Sequence, residues 1–371
     1  MGDQVTAPLE HVSATAYTVP TDAPEADGTL AWTSTTLVLV QASAEGRTGL
    51  GWTYGAAPGV AVVDDLLAGE VVGRSALDVP ALNEAMSRAV RNAGRPGLIA
   101  GAISAVDIAL WDLKARLLDL PLVRLLGAAR ESVPVYGSGG FTTYSAEQLE
   151  KQLLGWVQER RIPRAKIKIG ESRGRGEARD LARARQARKV IGPETELYVD
   201  ANGGYTRKQA VRVGRALAGE GVTWFEEPVS SDDLPGLKLV RGMVPQDVAA
   251  GEYGYDLPYF DRMATAGAVD CLQADATRCG GITVWLRAAA LAGAKGLEIS
   301  GHCAPHAHAH AAAAAPNTRH LEWFHDHTAI EGLFFDGVLD PAGGEIRPGA
   351  SGAPGHGLAL READVQRFRV K

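Results

Sequence analysis

Cysteine is scarce in this chain: its 371 residues hold only Cys271, Cys279 and Cys303. Three clustered thiols cannot build a disulfide framework, which excludes the small secreted scaffold and favours a reducing compartment. Long apolar runs are missing as well. The longest are broken by charges within about 12 residues, short of the roughly 18–20 that a membrane-crossing helix needs. Neither sign of charge dominates: 38 Lys and Arg face 44 Asp and Glu, a net charge of −6. Such a balance argues against nucleic-acid binding and gives no general attraction for anions, so affinity for an anion must come from local groups. No export signal is visible, and a cytoplasmic location is expected. Met1-Gly2-Asp3-Gln4-Val5-Thr6 formally fits a myristoylation pattern, but no polybasic patch or second lipid site accompanies it.

Hydrophobic residues make up 46% and charged residues 22%, the ordinary mixture of a soluble enzyme with a sizeable core. The first 130 residues read as a small α+β capping domain. Residues 35–42 (TTLVLVQA) are β-branched and apolar and predict a strand, with a turn at Gly49–Gly51. Residues 81–92 and 100–118 predict helices, the second carrying Asp107 and Asp112 among its apolar positions.

From residue 131 to about 325 the rhythm changes. Short apolar runs at 133–136, 165–169, 196–200, 223–226, 248–251, 271–273, 297–300 and 320–322 alternate with helix-periodic stretches such as 177–190 and 208–217. Eight short buried strands separated by helices predict an α/β fold of the (β/α)8 (modified TIM) barrel type. The eighth run has no obvious helix partner. Residues 326–371 turn Gly/Pro-rich again and are expected to pack back on the capping domain.

Chemistry in such a barrel sits at the C-terminal ends of the strands. Here the second run carries Lys166 and Lys168, and the third, fourth and fifth end at Asp200, Glu226 and Glu252. Asp275 follows the sixth, His302 the seventh, and the eighth ends in Glu322. Twenty-six residues separate Asp200 from Glu226, and again Glu226 from Glu252. One βα unit returns the chain to the same rim, so the three acids should converge, and like charges that close call for a cation. All-oxygen ligands select a hard ion, Mg²⁺ first and Mn²⁺ as the alternative. A single rim acid would more often be a solvated salt-bridge partner; even spacing of three favours the metal. Two residues apart on one strand, Lys166 and Lys168 share a face, and their mutual repulsion should depress a lysine pKa toward the basic form. Asp275 beside His302 would fix the imidazole tautomer.

This arrangement resembles the enolase superfamily, and within it the mandelate racemase subgroup. The likeness covers nearly the whole chain and rests on KIKIG (166–170), VDANGGY (199–205), WFEEP (224–228), GEY (251–253), ADATRCGGIT (274–283) and SGH (300–302). It implies Lys168 and His302 as opposed acid/base groups, with Asp275 as partner of His302. It further implies Asp200, Glu226 and Glu252 as Mg²⁺ ligands, Lys166 and Asn202 as contacts to a small carboxylate substrate, and Glu322 as a protonated acid donating to an enolate. Glu227 matches a position that usually supports the others. Both dehydration of an acid sugar and racemisation of a 2-hydroxy acid would use these residues; members resembling this chain are more often dehydratases. A homo-oligomer is expected.

Specificity should come from the capping domain. Residues 17–32 read as a mobile, acidic lid whose Asp22, Glu25 and Asp27 could meet sugar hydroxyls, and Trp52, Thr53 and Tyr54 form a second lid candidate. Two competing classes remain. The run HCAPHAHAH (302–310) would suit a metal-dependent hydrolase if it were a strand, but the alanines that follow favour a helix, on which alternate residues diverge. A non-catalytic barrel is the other, and the intact set of charged strand ends argues against it.

Overall fold

The computed structural model describes residues 6–370, so all but the last position of the myristoylation pattern lies outside the described residues. Strands β1 (His11–Ala26), β2 (Ala31–Ala44) and β3 (Arg47–Tyr54) form an antiparallel sheet in that order. The predicted 35–42 run lies within β2. Its apolar residues are continuous rather than alternating because both faces are covered. Leu37 and Leu39 join the core shared with the barrel, while Val40 and Ala42 pack within the cap. The turn expected at Gly49–Gly51 is instead the middle of β3. Both glycines are needed for close approach: a Cβ on Gly49 would lie 2.2 Å from the Ala109 carbonyl oxygen, and one on Gly51 2.2 Å from that of Ala105. The tight turn falls at Glu45–Gly46, where φ is 51° and 69°.

The helices anticipated in the cap span Val79–Ala89 and Leu98–Leu117. In the longer one, the two aspartates that interrupt the apolar pattern are buried fasteners. Asp107 accepts from the Thr283 amide at 3.0 Å and Asn83 Nδ2 at 2.8 Å. Asp112 accepts from the Leu50 and His356 amides and from Arg116 Nε. Each thus joins distant parts of the chain by charge-assisted hydrogen bonds.

Eight parallel strands follow: β4 (Val133–Gly139), β5 (Arg164–Lys168), β6 (Glu196–Asp200), β7 (Val222–Glu226), β8 (Asp247–Ala250), β9 (Cys271–Ala274), β10 (Glu298–Gly301) and β11 (Thr318–Phe324). They pair in sequence order, and β11 closes on β4. This is the (β/α)8 barrel expected. The helix that the eighth strand seemed to lack is His325–Phe334, directly behind β11. Tyr136, Tyr198, Trp224, Ala249 and Cys271 cluster together as the barrel's lower plug, with the His320 ring against Tyr136 and Trp224. Among the last residues, Arg369 bridges to Tyr17, and the Leu122 amide donates to Gly355. No helix of the described residues is long and apolar enough to cross a membrane.

Candidate active site

Register assembles the site. Lys168 pairs laterally with Asp200 and Asp200 with Glu226, so three successive strands end level. Glu252 follows β8 after Gly251, where φ is 133° and a Cβ would lie 2.1 Å from the Gln273 carbonyl oxygen, so only glycine fits. Ligand atoms of Asp200, Glu226 and Glu252 all lie within 4.8 Å of one another, and all three residues are buried. Glu252 Oε2 is buried without any hydrogen-bond partner. Such an orphaned carboxylate oxygen, in an all-oxygen trio, fits a hard divalent cation. Their backbone neighbours are held in unusual conformations: φ is 44° at Asn202 and 36° at Glu227. Strain of this kind collects where a structure is over-determined around a site.

The two lysines do not behave as their mutual repulsion alone would predict. Burial would lower both, but carboxylates outweigh it. Lys166, 2.5 Å from Glu226 and 2.7 Å from Glu322, is held well above the usual lysine range. Lys168, 2.5 Å from Asp200 Oδ2, is raised for the same reason. Among the acids the balance differs by position. Burial would raise Asp200, yet Lys168 and Lys166 hold it below its ordinary value. Burial pushes Glu226 well up despite Lys166, and burial together with the nearby Glu252 raises Glu227 as well. Glu322 was expected as a protonated donor. Burial favours that form, but Lys166, His302 and Lys168 outweigh it, so the protein's own charges hold Glu322 as a carboxylate. It accepts from Ser138 Oγ at 2.6 Å and the Cys303 amide at 2.9 Å.

On the opposite side of the acid trio stands His302. Its Nδ1 lies 2.9 Å from Asp275 Oδ2, and its Nε2 is 3.4 Å from Glu252 Oε2. Asp275 also accepts from the Thr277 amide and hydroxyl, and it is held below the usual carboxylate range: burial opposes this, but His302 and Arg278 prevail. The ring nitrogen toward the trio is therefore the one left for chemistry. Asn202 sits in the turn after β6, its amide donating to Asp200 and its side-chain oxygen buried without a partner.

Several contributors had no assigned part in the sequence reading. Arg278, inside the quoted ADATRCGGIT motif, lies 3.4 Å from both Glu252 and Asp275 and ties ligand to acid/base pair. Cys303 Sγ stands 3.2 Å from His302 Nε2. His327 takes a hydrogen bond from the Ala304 amide and stacks on Tyr54, their ring centroids 3.4 Å apart. Nothing in spacing marks these residues; only their neighbours in space do.

The presumed lid is more ordered than a mobile loop. Residues 17–32 are mostly the paired ends of β1 and β2, and only Asp27–Leu30 form the tip. The tip is pinned to the barrel mouth: the Gly28 carbonyl accepts from the Arg173 amide at 2.8 Å, and that of Asp27 from Thr142 Oγ1 at 2.9 Å. Its three acids part company. Glu25 is buried and accepts from Trp32 Nε1; Asp22 is exposed near His325; Asp27 accepts from the Thr29 and Leu30 amides, within the field of Lys168. Trp52, Thr53 and Tyr54 are no lid at all but a buried joint, Trp52 Nε1 donating to Glu331 and Thr53 to the Thr277 carbonyl. The histidine run is a helix, Pro305–Ala314, and its rings diverge: His306 to Glu331, His308 to the Ala276 amide, His310 to the Val123 amide.

Comparison with known proteins agrees with this fold. Residues 13–127 match the mandelate racemase/muconate lactonizing enzyme N-terminal domain, and residues 148–364 the enolase C-terminal domain-like family. L-talarate/galactarate dehydratase of Salmonella typhimurium is 33% identical over 76% of this chain and 71% of its own length. Its structure liganded with Mg and L-lyxarohydroxamate superposes with a TM-score of 0.91 at 28% identity, covering 100% of this chain and 95% of that one. The 3,6-anhydro-alpha-L-galactonate cycloisomerase of Streptomyces coelicolor is 32% identical over 88% of this chain and 89% of its own. A mandelate racemase/muconate lactonizing enzyme-like protein from Rubrobacter xylanophilus reaches a TM-score of 0.94 at 50% identity, over 98% of this chain and 100% of that one. The chain belongs to the mandelate racemase/muconate lactonizing enzyme family of the enolase superfamily.

Proposed function

We propose that this enzyme abstracts the proton beside the carboxylate of an acid sugar and expels the β-hydroxyl, giving a 2-keto-3-deoxy acid. One observation carries the reading: the acid trio is flanked at its two ends by different bases, Lys168 against Asp200 and His302 against Glu252. Asp200, Glu226 and Glu252 would hold Mg²⁺, which when bound supplies a Lewis acid for the substrate carboxylate and offsets the charge of its own ligands.

The remaining steps belong to side chains. Lys166, buried in the barrel floor, is placed to donate to the substrate carboxylate, stabilising charge as the proton leaves. Lys168 is the base for a proton on its side, acting as the free amine once the Asp200 carboxylate that now holds it protonated is engaged by the cation instead. His302, its Nδ1 fixed by Asp275, is the acid that hands a proton from Nε2 to the departing hydroxyl. Glu322 donates to the developing enolate when it carries a proton. Asn202 contacts the substrate. The pinned hairpin tip excludes water from the charged interior.

Two similarities support an acid sugar as substrate class: the dehydratase from Salmonella and the sugar-acid cycloisomerase from Streptomyces. Incubation with Mg²⁺ in D₂O and a panel of aldonates and aldarates tests the proposal. A keto acid is the expected product. Deuterium at the α-carbon without loss of water would replace dehydration by racemisation, and no exchange with any member would sink proton abstraction altogether.

A further inference from the structure

Beside the all-oxygen trio lies a second convergence of ligand atoms, of different chemistry. His302, Cys303 and Glu322 are all buried, and their donor atoms lie within 4.8 Å of one another. We propose that these three form a site for a thiophilic transition ion such as Zn²⁺, and that its binding blocks proton transfer by His302.

The geometry carries this. Cys303 Sγ is 3.2 Å from His302 Nε2 and 3.4 Å from Glu322 Oε2, and those two are 3.8 Å apart. Tetrahedral zinc with ordinary bond lengths puts a sulfur and a nitrogen ligand about 3.5 Å apart, and a nitrogen and an oxygen about 3.3 Å apart. Every edge of the triangle is within about half an ångström of that ideal. The lone pairs are also available. Glu322 Oε1 is taken by Lys166 and Ser138, whereas Oε2 accepts from the amide and thiol of Cys303 and faces His302 Nε2. Asp275 holds His302 Nδ1, the outer carboxylate that commonly orients a zinc-bound imidazole and leaves Nε2 for the ion. Sulfur and imidazole prefer a softer ion than the three carboxylates do, so the two sites select different metals. Nothing in the proposed reaction uses Cys303, yet it is held at φ 50° directly against the imidazole. On binding, the thiol proton leaves to solvent and the sulfur coordinates as thiolate. Three protein ligands leave one position open.

Cobalt(II) reports thiolate ligation by a charge-transfer band in the near ultraviolet, which an all-carboxylate site cannot give. Titration of the Mg²⁺-loaded full-length protein with Co²⁺ should produce that band, and excess Zn²⁺ should remove it. Cys303→Ser and Cys303→Ala should abolish it with native circular dichroism, while Cys271→Ser and Cys279→Ser keep it. Where turnover is measurable, Cys303→Ser should raise the Zn²⁺ concentration for half-inhibition at least tenfold at saturating Mg²⁺. A wild-type protein without the band, a band that survives both Cys303 substitutions, or Zn²⁺ inhibition relieved by Mg²⁺ and not by the mutation would each overturn the site. Because the cobalt readout needs no substrate, its failure would leave the proposed reaction standing.

Discussion

Lys168 is positioned by Asp200, and His302 by Asp275 at Nδ1 with Nε2 turned toward the acid trio, which makes their removal informative. Lys168→Ala and His302→Asn should each lower turnover by roughly 10²–10⁴-fold, the usual contribution of a positioned acid or base. Steady-state rates on the acid sugar identified by screening check this, and wild-type rates in both variants would refute the assigned parts. Glu322 offers a sharper test. Its own surroundings hold it as a carboxylate, yet the reaction asks it to donate. Glu322→Gln presents a permanent donor of similar shape, so it should keep at least tenfold more turnover than Glu322→Ala. Equal loss in the two would mean that the negative charge is what matters. These residues were legible because strand ends are where a barrel displays chemistry, and a titratable group at seven of the eight ends can be read from spacing alone. The protonation states were not. Repulsion between Lys166 and Lys168 is a sequence-local argument, whereas the acids that outweigh it arrive from β6, β7 and β11. Cys303 and His327 escaped for the same reason: their meaning lies in contacts made across the barrel mouth.

At the scale of elements, the strands and helices of the barrel were visible because burial on both faces leaves a short uninterrupted apolar run. The hairpin was misread. Pro20 and the acids between Asp22 and Asp27 look like a loop, but β1 is an edge strand, where a proline costs no ladder bond, and its partner β2 lies on the far side of the turn. The register shifts between Pro20 and Glu25, so the tip bends over the mouth without losing its pairing to β2. Gly28 sits at the contact. A Cβ there would lie 2.6 Å from the Ala201 carbonyl oxygen and 2.8 Å from that of Ile169. Backbone cannot yield, so Gly28→Ala should lift the tip rather than compress the barrel. The expected result is a fall of roughly 10- to 100-fold in kcat/KM, the scale of an ångström's misplacement near a site. Its thermal midpoint should stay close to wild type, because no side chain of the tip belongs to the hydrophobic core. A variant with unchanged kinetics would show that the tip is no lid.

Cap, barrel and C-terminal segment meet at one buried seam, and its titration should set the acid limit of the whole molecule. His310 accepts the Val123 amide at Nδ1 and lies 3.2 Å from the His356 carbonyl through Nε2, so its neutral form is already fully used. The His356 ring packs against Trp52 and His310 with neither nitrogen hydrogen-bonded. Burial holds each of these imidazoles down to about 3. The sign follows from the depressed value. Unfolded histidine takes a proton near pH 6.5, the folded ring does not, and so stability is fully present above 6.5 and is lost as pH falls toward 3. One such site costs about 1.4 kcal/mol per pH unit in that window. Asp107, raised by burial to about 7, contributes with the opposite sign, so the total slope is not diagnostic. A difference between two proteins is. His356→Phe keeps the aromatic packing on Trp52 and removes one titration, so between pH 6.5 and 5 it should lose about 2 kcal/mol less than the wild type. Urea unfolding of both proteins at those two pH values measures this, and parallel losses would mean that His356 is charged, or solvated, in the folded state.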